Sequence, residues 1–433
     1  MLFRSTNPFL HFTRRNFLRS ILASAFAITP LNRALAATPV TAKLLGAPTA
    51  TSFTINVSAT SAARVYIEYG YSKTSTTSTT KIISMSKGSS QKIVVSGLKP
   101  SSNIYYQVRY ALGTAKYFAR LTQSSVMTLA MSENSTFAVQ ADPHMDDNSS
   151  ADVYNGTLKQ IVAASPAFLM DLGDIFMVDK LANKSEANIR GRFELMKSFY
   201  SKLGDVPLKI CLGNHDGELG YSSFNTKKYR KEYFPEQTED LAYFAFSGPD
   251  QLHIVLDPFT YTTKNPTIAG WEWTLGKTQY DWLVSTLSSS TAQHKFIYIH
   301  HLLVGDPQSR GGVEIAMYNE WGGKNKDGSY GFDANRPGWG KPVHQLLVEN
   351  KVSIVFKGHD HLYVKQELDG IIYQTLPQPS HPGDKFDVKQ YGYLSGKGVG
   401  GSGFLKVSTL EKKVQVDFIK FDGSIGDSYS VGS

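Results

Sequence analysis

Between Thr51 and Thr122 apolar and polar residues alternate singly, a two-residue period that predicts strands rather than helix. Phe53, Ile55 and Val57 alternate with Thr54, Asn56 and Ser58, and Val65, Ile67 and Tyr69 repeat the pattern one strand later. With β-rich runs at Val40–Leu45, Lys81–Met85, Gln91–Val95, Ile104–Tyr110 and Ala115–Arg120, this makes about seven strands at the spacing of a β-sandwich. The Ser/Thr run from Lys73 to Thr80 has no apolar period and reads as an exposed loop. Beyond Asn134 the pattern changes. Phe137–Val139, Phe168–Met170, Leu208–Cys211, His253–Leu256, Phe296–Ile299 and Ser353–Phe356 are short apolar runs of the buried-strand type. Helical spacing fills the gaps at Asn188–Leu203 (Ile189, Phe193, Met196, Phe199, Tyr200) and Lys277–Leu287 (Tyr280, Leu283, Val284, Leu287). Strands alternating with helices predict a layered α/β architecture with ligands beyond the carboxyl ends of the strands.

Composition bounds this picture. The chain has 433 residues, 41% hydrophobic and 19% charged, which is ordinary for globular domains and excludes a disordered chain. One cysteine, Cys211, excludes an internal disulfide and a thiolate zinc cluster. The net charge of +8 invites a nucleic-acid or membrane partner. Five arginines and no acidic residue fall within residues 1–36, however, so the remainder carries only +3. The charge therefore indicates no nucleic-acid site.

Those first residues have their own logic. The apolar run Ile21–Leu31 is shorter than the roughly 20 residues of a membrane span and suits a signal h-region, with Ala34-Leu35-Ala36 as cleavage context. Thr13-Arg14-Arg15-Asn16-Phe17-Leu18 resembles the twin-arginine export motif. The resemblance implies the twin-arginine translocation machinery as a partner and a periplasmic or secreted bacterial protein. No later stretch reaches 18 apolar residues, so no membrane span is expected in the mature chain.

The chemistry lies after the strands. Asp142-Pro143-His144 follows the first run, Asp171-Leu172-Gly173-Asp174 the second, and Gly213-Asn214-His215-Asp216 the third. His300-His301 follows the fifth, and Gly358-His359-Asp360-His361 the sixth. Six of the chain's 11 histidines sit in these motifs, and burying so many imidazoles and carboxylates unpaired is costly. Asp-x-His and His-x-His place two ligands on one side of a bending segment. A carboxylate such as Asp174 can bridge two cations about 3.5–4 Å apart, and Asn214 offers a neutral carbonyl oxygen.

This motif set resembles the calcineurin-like metallophosphoesterase superfamily over residues 134 to 420. The resemblance implies a four-layer αββα sandwich and two divalent metals, with manganese, iron or zinc suiting the mixed N/O ligands. It implies Asp142, His144, Asp174 and His361 around one metal and Asp174, Asn214, His300 and His359 around the other. His300, at the strand end, is preferred over His301, which is left to a supporting or substrate-facing role. It implies His215 as the non-ligand histidine serving the leaving oxygen, and metal-assisted hydrolysis by a metal-bridging hydroxide. Asp216 either orients the His215 ring or caps the following turn.

Upstream, Gly97-Leu98-Lys99-Pro100 through Val108 resembles the E–F corner of fibronectin type III domains and is similar to the N-terminal sandwich of purple acid phosphatases. Ile104 stands where many such domains have a tyrosine, and Met177 where purple acid phosphatases have their metal-binding tyrosine, so a purple ferric site is not expected. The expected divisions are a signal peptide over 1–36, a fibronectin type III-like β-sandwich over 37–125 and a catalytic domain over 126–425. Within the last, the long stretch 302–341 is read either as a cleft wall, with Arg310 or Arg336 on a phosphate oxygen, or as an excursion packed on itself. His294, His344 and His381 are assigned to structure or surface. The favoured function is an exported phosphomonoesterase acting on a phosphate ester. The alternatives are a phosphodiesterase on nucleotides or phospholipid head groups and an inactive wall- or glycan-binding protein.

Overall fold

The computed structural model describes residues 38–45, 48–128, 135–216, 227–234, 242–248, 250–259, 270–304, 310–383 and 387–432. The expected signal peptide lies outside them. Described strands of the first region are β1 (Val40–Leu45), β2 (Ser52–Ala59), β3 (Ala63–Gly70), β4 (Ser78–Thr79), β5 (Ile83–Met85), β6 (Ser90–Ser96), β7 (Asn103–Leu112), β8 (Ala119–Arg120) and β9 (Ser124–Met127). One sheet runs β1-β2-β6; the other runs β4-β3-β7-β8, with β5 and β9 also on β3 and β7. In β2 every second residue is buried, and Phe53, Ile55 and Val57 meet Val65, Ile67, Ile93, Val95 and Val108 in the core. Ile104, in the tyrosine's place, is fully buried there.

Three expectations need correction. The Ser/Thr run contains β4, which pairs Ser78 and Thr79 with Tyr69 and Glu68; both its side chains are exposed, so backbone pairing alone makes the strand. The strand expected at Ala115–Arg120 shrinks to β8, because Ala115 closes a turn on the Leu112 carbonyl. β9 pairs with β7 and runs to Met127, past the expected boundary at 125.

Further described strands are β10 (Ser135–Gln140), β11 (Leu169–Asp171), β12 (Leu208–Ile210), β13 (Phe244–Gly248), β14 (Gln251–Val255), β15 (His294–Ile299), β16 (Ile354–Lys357), β17 (Tyr363–Leu368), β18 (Ile371–Thr375), β19 (Lys397–Val399), β20 (Gly403–Leu410), β21 (Lys413–Lys420) and β22 (Ile425–Gly432). The described helices are α1 (Ala151–Ala163), α2 (Glu186–Tyr200), α3 (Lys227–Tyr233), α4 (Gly276–Ser288), α5 (Asn319–Gly322), α6 (Phe332–Asn335) and α7 (Val343–Glu349). Serine hydroxyls start the first two: Ser150 accepts from the Val153 amide and Ser185 from that of Asn188. None of these helices is long and apolar enough to cross a membrane.

Two sheets stack face to face, in the orders β12-β11-β10-β20-β21-β22 and β13-β14-β15-β16-β18-β17-β19. Between them Phe137, Val139, Met170, Leu405, Val407 and Phe418 pack against Phe296, Tyr298, Ile354 and Phe356. On the outer face of the first sheet, Ala138, Leu169 and Ile210 meet Leu158 and Ile161 of α1 and Ile189, Phe193 and Met196 of α2. Outside the second, Ile254, Ile297, Ile299 and Val355 meet Leu283 and Leu287 of α4 and Leu346 and Leu347 of α7. This is the expected αββα order of four layers. The antiparallel strands β17 to β22 were not anticipated, and β22 passes the expected end at 425.

Register places the chemistry. β10, β11 and β12 run parallel with Gln140, Asp171 and Ile210 on one rung, while β15 and β16 run parallel with Ile299 beside Lys357. All five motif-bearing segments therefore leave the sheets at one end of the sandwich.

Candidate metal centre

Beyond the last rung the backbone bends sharply. Asp142, His144, Asp174, His359 and His361 all have left-handed φ, at 59°, 50°, 56°, 72° and 59°. Such a conformation costs a non-glycine residue on the order of 1–2 kcal/mol, so surrounding contacts must hold it. They are present. The Asp142 amide donates to the Gly173 carbonyl (2.9 Å), His144 to Asp174 (3.1 Å) and Gly358 to His300 (3.0 Å), while Asp142 Oδ2 accepts from the His359 amide (2.8 Å). Gly213 is required by proximity: a Cβ there would lie 2.2 Å from both the amide nitrogen and Oδ1 of Asp174.

Two groups of donor atoms result, each converging within 4.8 Å: Asp142, His144, Asp174 and His361 in one, Asp174, His300 and His359 in the other. Asp174 belongs to both. His144 Nε2 and His300 Nε2 lie 3.7 and 3.4 Å from Asp174 Oδ2, and His361 Nε2 lies 3.6 Å from Asp142 Oδ1. Two ligands bonded tetrahedrally at about 2.0–2.2 Å stand roughly 3.4 Å apart, so these spacings suit a shared cation. Buried Asp142 Oδ1 and His144 Nε2 have no hydrogen-bond partner, an arrangement costly for the protein alone. His300 turns Nδ1 to the Leu172 carbonyl (2.8 Å), leaving Nε2 beside Asn214 Oδ1 (2.9 Å) in the second group. The residues fit a pair of divalent metal ions.

The same side chains also set one another's charge. Burial opposes ionising Asp142, yet His361 and His144 hold its carboxyl well below the ordinary range. Asp174, also buried, is held down by His300 and His215. Burial disfavours charge on His300, but Asp174 and Asp142 lift it to about 9. His359 goes the other way, kept neutral by burial and by the charge on His300.

A family model for calcineurin-like phosphoesterases matches residues 135–363, more than half of the chain. The chain belongs to that family. It is a metal-dependent phosphoesterase, from a family that typically uses two metals. Among solved structures, a purple acid phosphatase from yellow lupin (Lupinus luteus) seeds is 13% identical with a TM-score of 0.60, covering 91% of this chain and 74% of that one. A structure of PhoD is also 13% identical, with a TM-score of 0.58 over 91% of this chain and 88% of that one. Both show the fold, including the β region ahead of the phosphoesterase sandwich. No curated protein matches in sequence.

Around the phosphoesterase centre several side chains differ from expectation. Asp216 does not orient the His215 ring. Its buried carboxylate accepts from the amides of Gly213 (2.7 Å), Asp174 (3.0 Å), Ile175 (2.7 Å) and Phe176 (2.8 Å), tying two motif loops together. The ring's partner is Asp179, whose oxygens lie 2.9 and 3.0 Å from His215 Nδ1. Nothing in the spacing singled out Asp179, although it follows Asp174 on the same loop in a short 3₁₀ turn, Val178–Lys180. His301 is enclosed by Trp273 and Phe259, donates Nδ1–H to the Leu302 carbonyl, and is pushed down to about 3 by burial and by His300. That favours its supporting role over the substrate-facing one. Met177 is buried.

Arg310 lies beside the centre, donating to the His359 carbonyl (2.9 Å) and standing 3.6 Å from Asp360 Oδ1. It braces the ligand-bearing turn. The Arg336 guanidinium is taken up by Glu320 and by the carbonyls of Trp271 and Trp273. The described parts of 302–341 pack against the second sheet and not on themselves alone: Leu302, Leu303, Ala316 and Trp321 share a core with Ile254, Ile297 and Val355, and Trp321 donates to the Tyr373 hydroxyl. His344 bonds to Tyr373 and Asp369, and buried His294 to the Glu411 carbonyl, both as structural residues.

Asp171 stays outside both donor groups. Fully buried, it accepts from Tyr200 (2.6 Å) and Gln140 (2.5 Å), but burial outweighs these donors and raises its pKa from 3.8 to about 7. The folded chain thus retains a proton that the unfolded chain releases near pH 4. Between roughly pH 4 and 7 the folded state binds more protons, so this residue makes stability fall as pH rises. Asp171→Asn is expected to flatten that part of the profile. Urea midpoints of both proteins at about pH 5 and pH 7 test this, and parallel slopes would refute it.

Proposed function

We propose that the chain is a phosphoric monoester hydrolase. Asp142, His144, Asp174 and His361 would hold one divalent cation, and Asp174, Asn214, His300 and His359 the other. The observation that carries this reading is the sharing of Asp174 between two converging donor groups, with donor atoms in one of them buried and unpartnered. When bound, the cations supply Lewis-acid stabilisation of the phosphoryl oxygens and activate water.

The chain's own residues do the rest. Asp174 Oδ1 accepts from the His215 amide (2.9 Å), fixing that residue's backbone at the centre. With Nδ1 directed to Asp179, the ring offers Nε2 to the leaving oxygen of the ester. Asp179 sets that orientation, so Asp179→Asn is expected to lower kcat about 10–100-fold while the metal content stays at that of the wild type. Steady-state kinetics with metal analysis checks it; full kcat would remove Asp179 from the mechanism.

The monoester preference is supported by the structural likeness to a purple acid phosphatase across both regions of the chain. Metal-depleted protein replenished with manganese, zinc or iron should hydrolyse nitrophenyl phosphate with a kcat/KM at least about tenfold above that for bis-nitrophenyl phosphate. The reverse preference would make it a phosphodiesterase, and no cleavage of either ester would overturn the assignment. Export through the twin-arginine route belongs to the same proposal, with residues 1–36 as the address and the sandwich of β1 to β9 as a packing platform. Joint Arg14→Lys and Arg15→Lys replacement should retain the precursor in the cytoplasm; normal export would refute the address.

A further inference from the structure

A cavity of about 420 Å³ opens beside the metal centre, with His361 in its wall. Its volume falls in the range of small-molecule sites, roughly 300–1,000 Å³. The topology explains its position. Residues 377–381 follow β18 at the carboxyl end of the second sheet, and Gly400–Ser402 lead into β20 beside the end of β10 in the first. The cavity therefore spans the seam between the sheets, where the proposed ligands also emerge.

Its wall is fastened to the ligand loop. Ser380 Oγ donates to the Pro143 carbonyl (2.8 Å), the Ser150 amide donates to the Ser380 carbonyl (2.8 Å), and Gln378 Nε2 donates to Ser149 Oγ (3.2 Å). Ser402 Oγ donates to the His381 carbonyl, joining the two sides. A group held in this cavity would be held in register with an ester at the metals.

The lining defines the chemistry. His381 Nδ1 lies 2.9 Å from the Gly383 amide nitrogen and 3.2 Å from the Gly383 carbonyl, and Nε2 has no protein partner among the described residues. Tyr391 contributes an aromatic ring, with the Arg310 guanidinium 4.5 Å from its centroid. The Gly400-Gly401 backbone and the Ser402 hydroxyl add close-range polar groups. The Asp387 carboxylate is among the described lining residues and adds an acceptor suited to hydroxyl groups. Donors and acceptors set among the rings of Tyr391 and Tyr363 match a ring alcohol rich in hydroxyls.

We infer that this cavity receives the alcohol half of the substrate and that this alcohol is a sugar, making the preferred substrates sugar phosphate monoesters. The inference rests on the monoester reading and names its substrate class. His381 and Tyr391 are the specificity-determining residues: they grip the sugar and leave the phosphoryl chemistry to the metal centre.

The test compares glucose 6-phosphate with nitrophenyl phosphate on the metal-loaded full chain and on His381→Ala, His381→Gln and Tyr391→Ala. Each alanine variant should lower the sugar-to-nitrophenyl ratio of kcat/KM by about tenfold, the size of one lost contact, mainly through KM. His381→Gln, which keeps a donor, should recover part of the loss. Equal losses on both esters, or an unchanged ratio, would overturn the inference. So would a larger loss on a nucleoside monophosphate than on the sugar ester. Calorimetric binding of glucose 6-phosphate separates this inference from the reading beneath it. If the wild type cleaves no ester but binds the sugar phosphate, and His381→Ala weakens that binding about tenfold, the cavity assignment stands and the hydrolase reading falls. If nitrophenyl phosphate is cleaved and glucose 6-phosphate binds equally to wild type and variants, the hydrolase stands and the cavity assignment falls.

Discussion

Replacing Asp174 with alanine is expected to abolish hydrolysis, lowering kcat on the order of 10³–10⁴-fold even at saturating metal. The size follows from its double duty. Oδ2 lies 3.7 Å from His144 Nε2 and 3.4 Å from His300 Nε2, so truncation withdraws a ligand from both proposed cation sites at once. Oδ1 also accepts from the His215 amide, so the leaving-group histidine loses its backbone anchor. Atomic emission analysis should find fewer metal ions per variant chain than in the wild type. Asp174→Asn, with the same shape and no charge, should retain the fold and still lose most activity. A variant that keeps both metals and normal turnover would dismantle the proposed centre.

Asp216→Ala should cause the largest loss of stability, on the order of 4 kcal/mol, because buried donors left without acceptors incur their full desolvation cost. Four backbone amides converge on this carboxylate, three of them on the loop that carries Asp174. The loss should appear as a lowered urea midpoint and weakened metal binding together, since the loop it fastens presents a ligand. Asp216→Asn keeps one acceptor oxygen and should fall between. A midpoint within experimental error of the wild type would show that water replaces the carboxylate at those amides.

Much of this arrangement is legible in the chain itself. A buried strand is an uninterrupted apolar run, and five such runs end in Asp, Asn or His, so the strand ends and the ligand types are read together. The supporting residues are not, because their partners are backbone groups brought close only by folding. Asp216 looks like a companion of His215 because it is next to it in sequence. In the structure the two side chains diverge, and the ring is met by Asp179 from the neighbouring loop. Arg336 has the charge expected of a phosphate contact, but its guanidinium completes a packed corner around Glu320. His381 carries no motif around it in the sequence; its place in the cavity wall depends on two segments, 377–383 and 399–402, meeting across a sheet boundary. The late antiparallel strands had a visible signature in Val414, Val416 and Phe418 alternating with Gln415 and Asp417, with the first three buried in the inter-sheet core.

The two sheets share their hydrophobic contents along most of their length, yet at the motif end they meet through Asp142, His144, Asp174 and Asn214 on one side and His300, His359 and His361 on the other. Each proposed ion draws ligands from both sides, so the pair acts as a clasp across the open edge of a folded book. A ligand-bound state is favoured by mass action, which makes the closure of that edge depend on metal supply. An emptied enzyme would keep its spine and lose its fastening, leaving seven polar side chains, five of them in strained turns, held across that edge by Asp–His pairing. Metal loading would then fasten the two sheets as well as supply the chemistry.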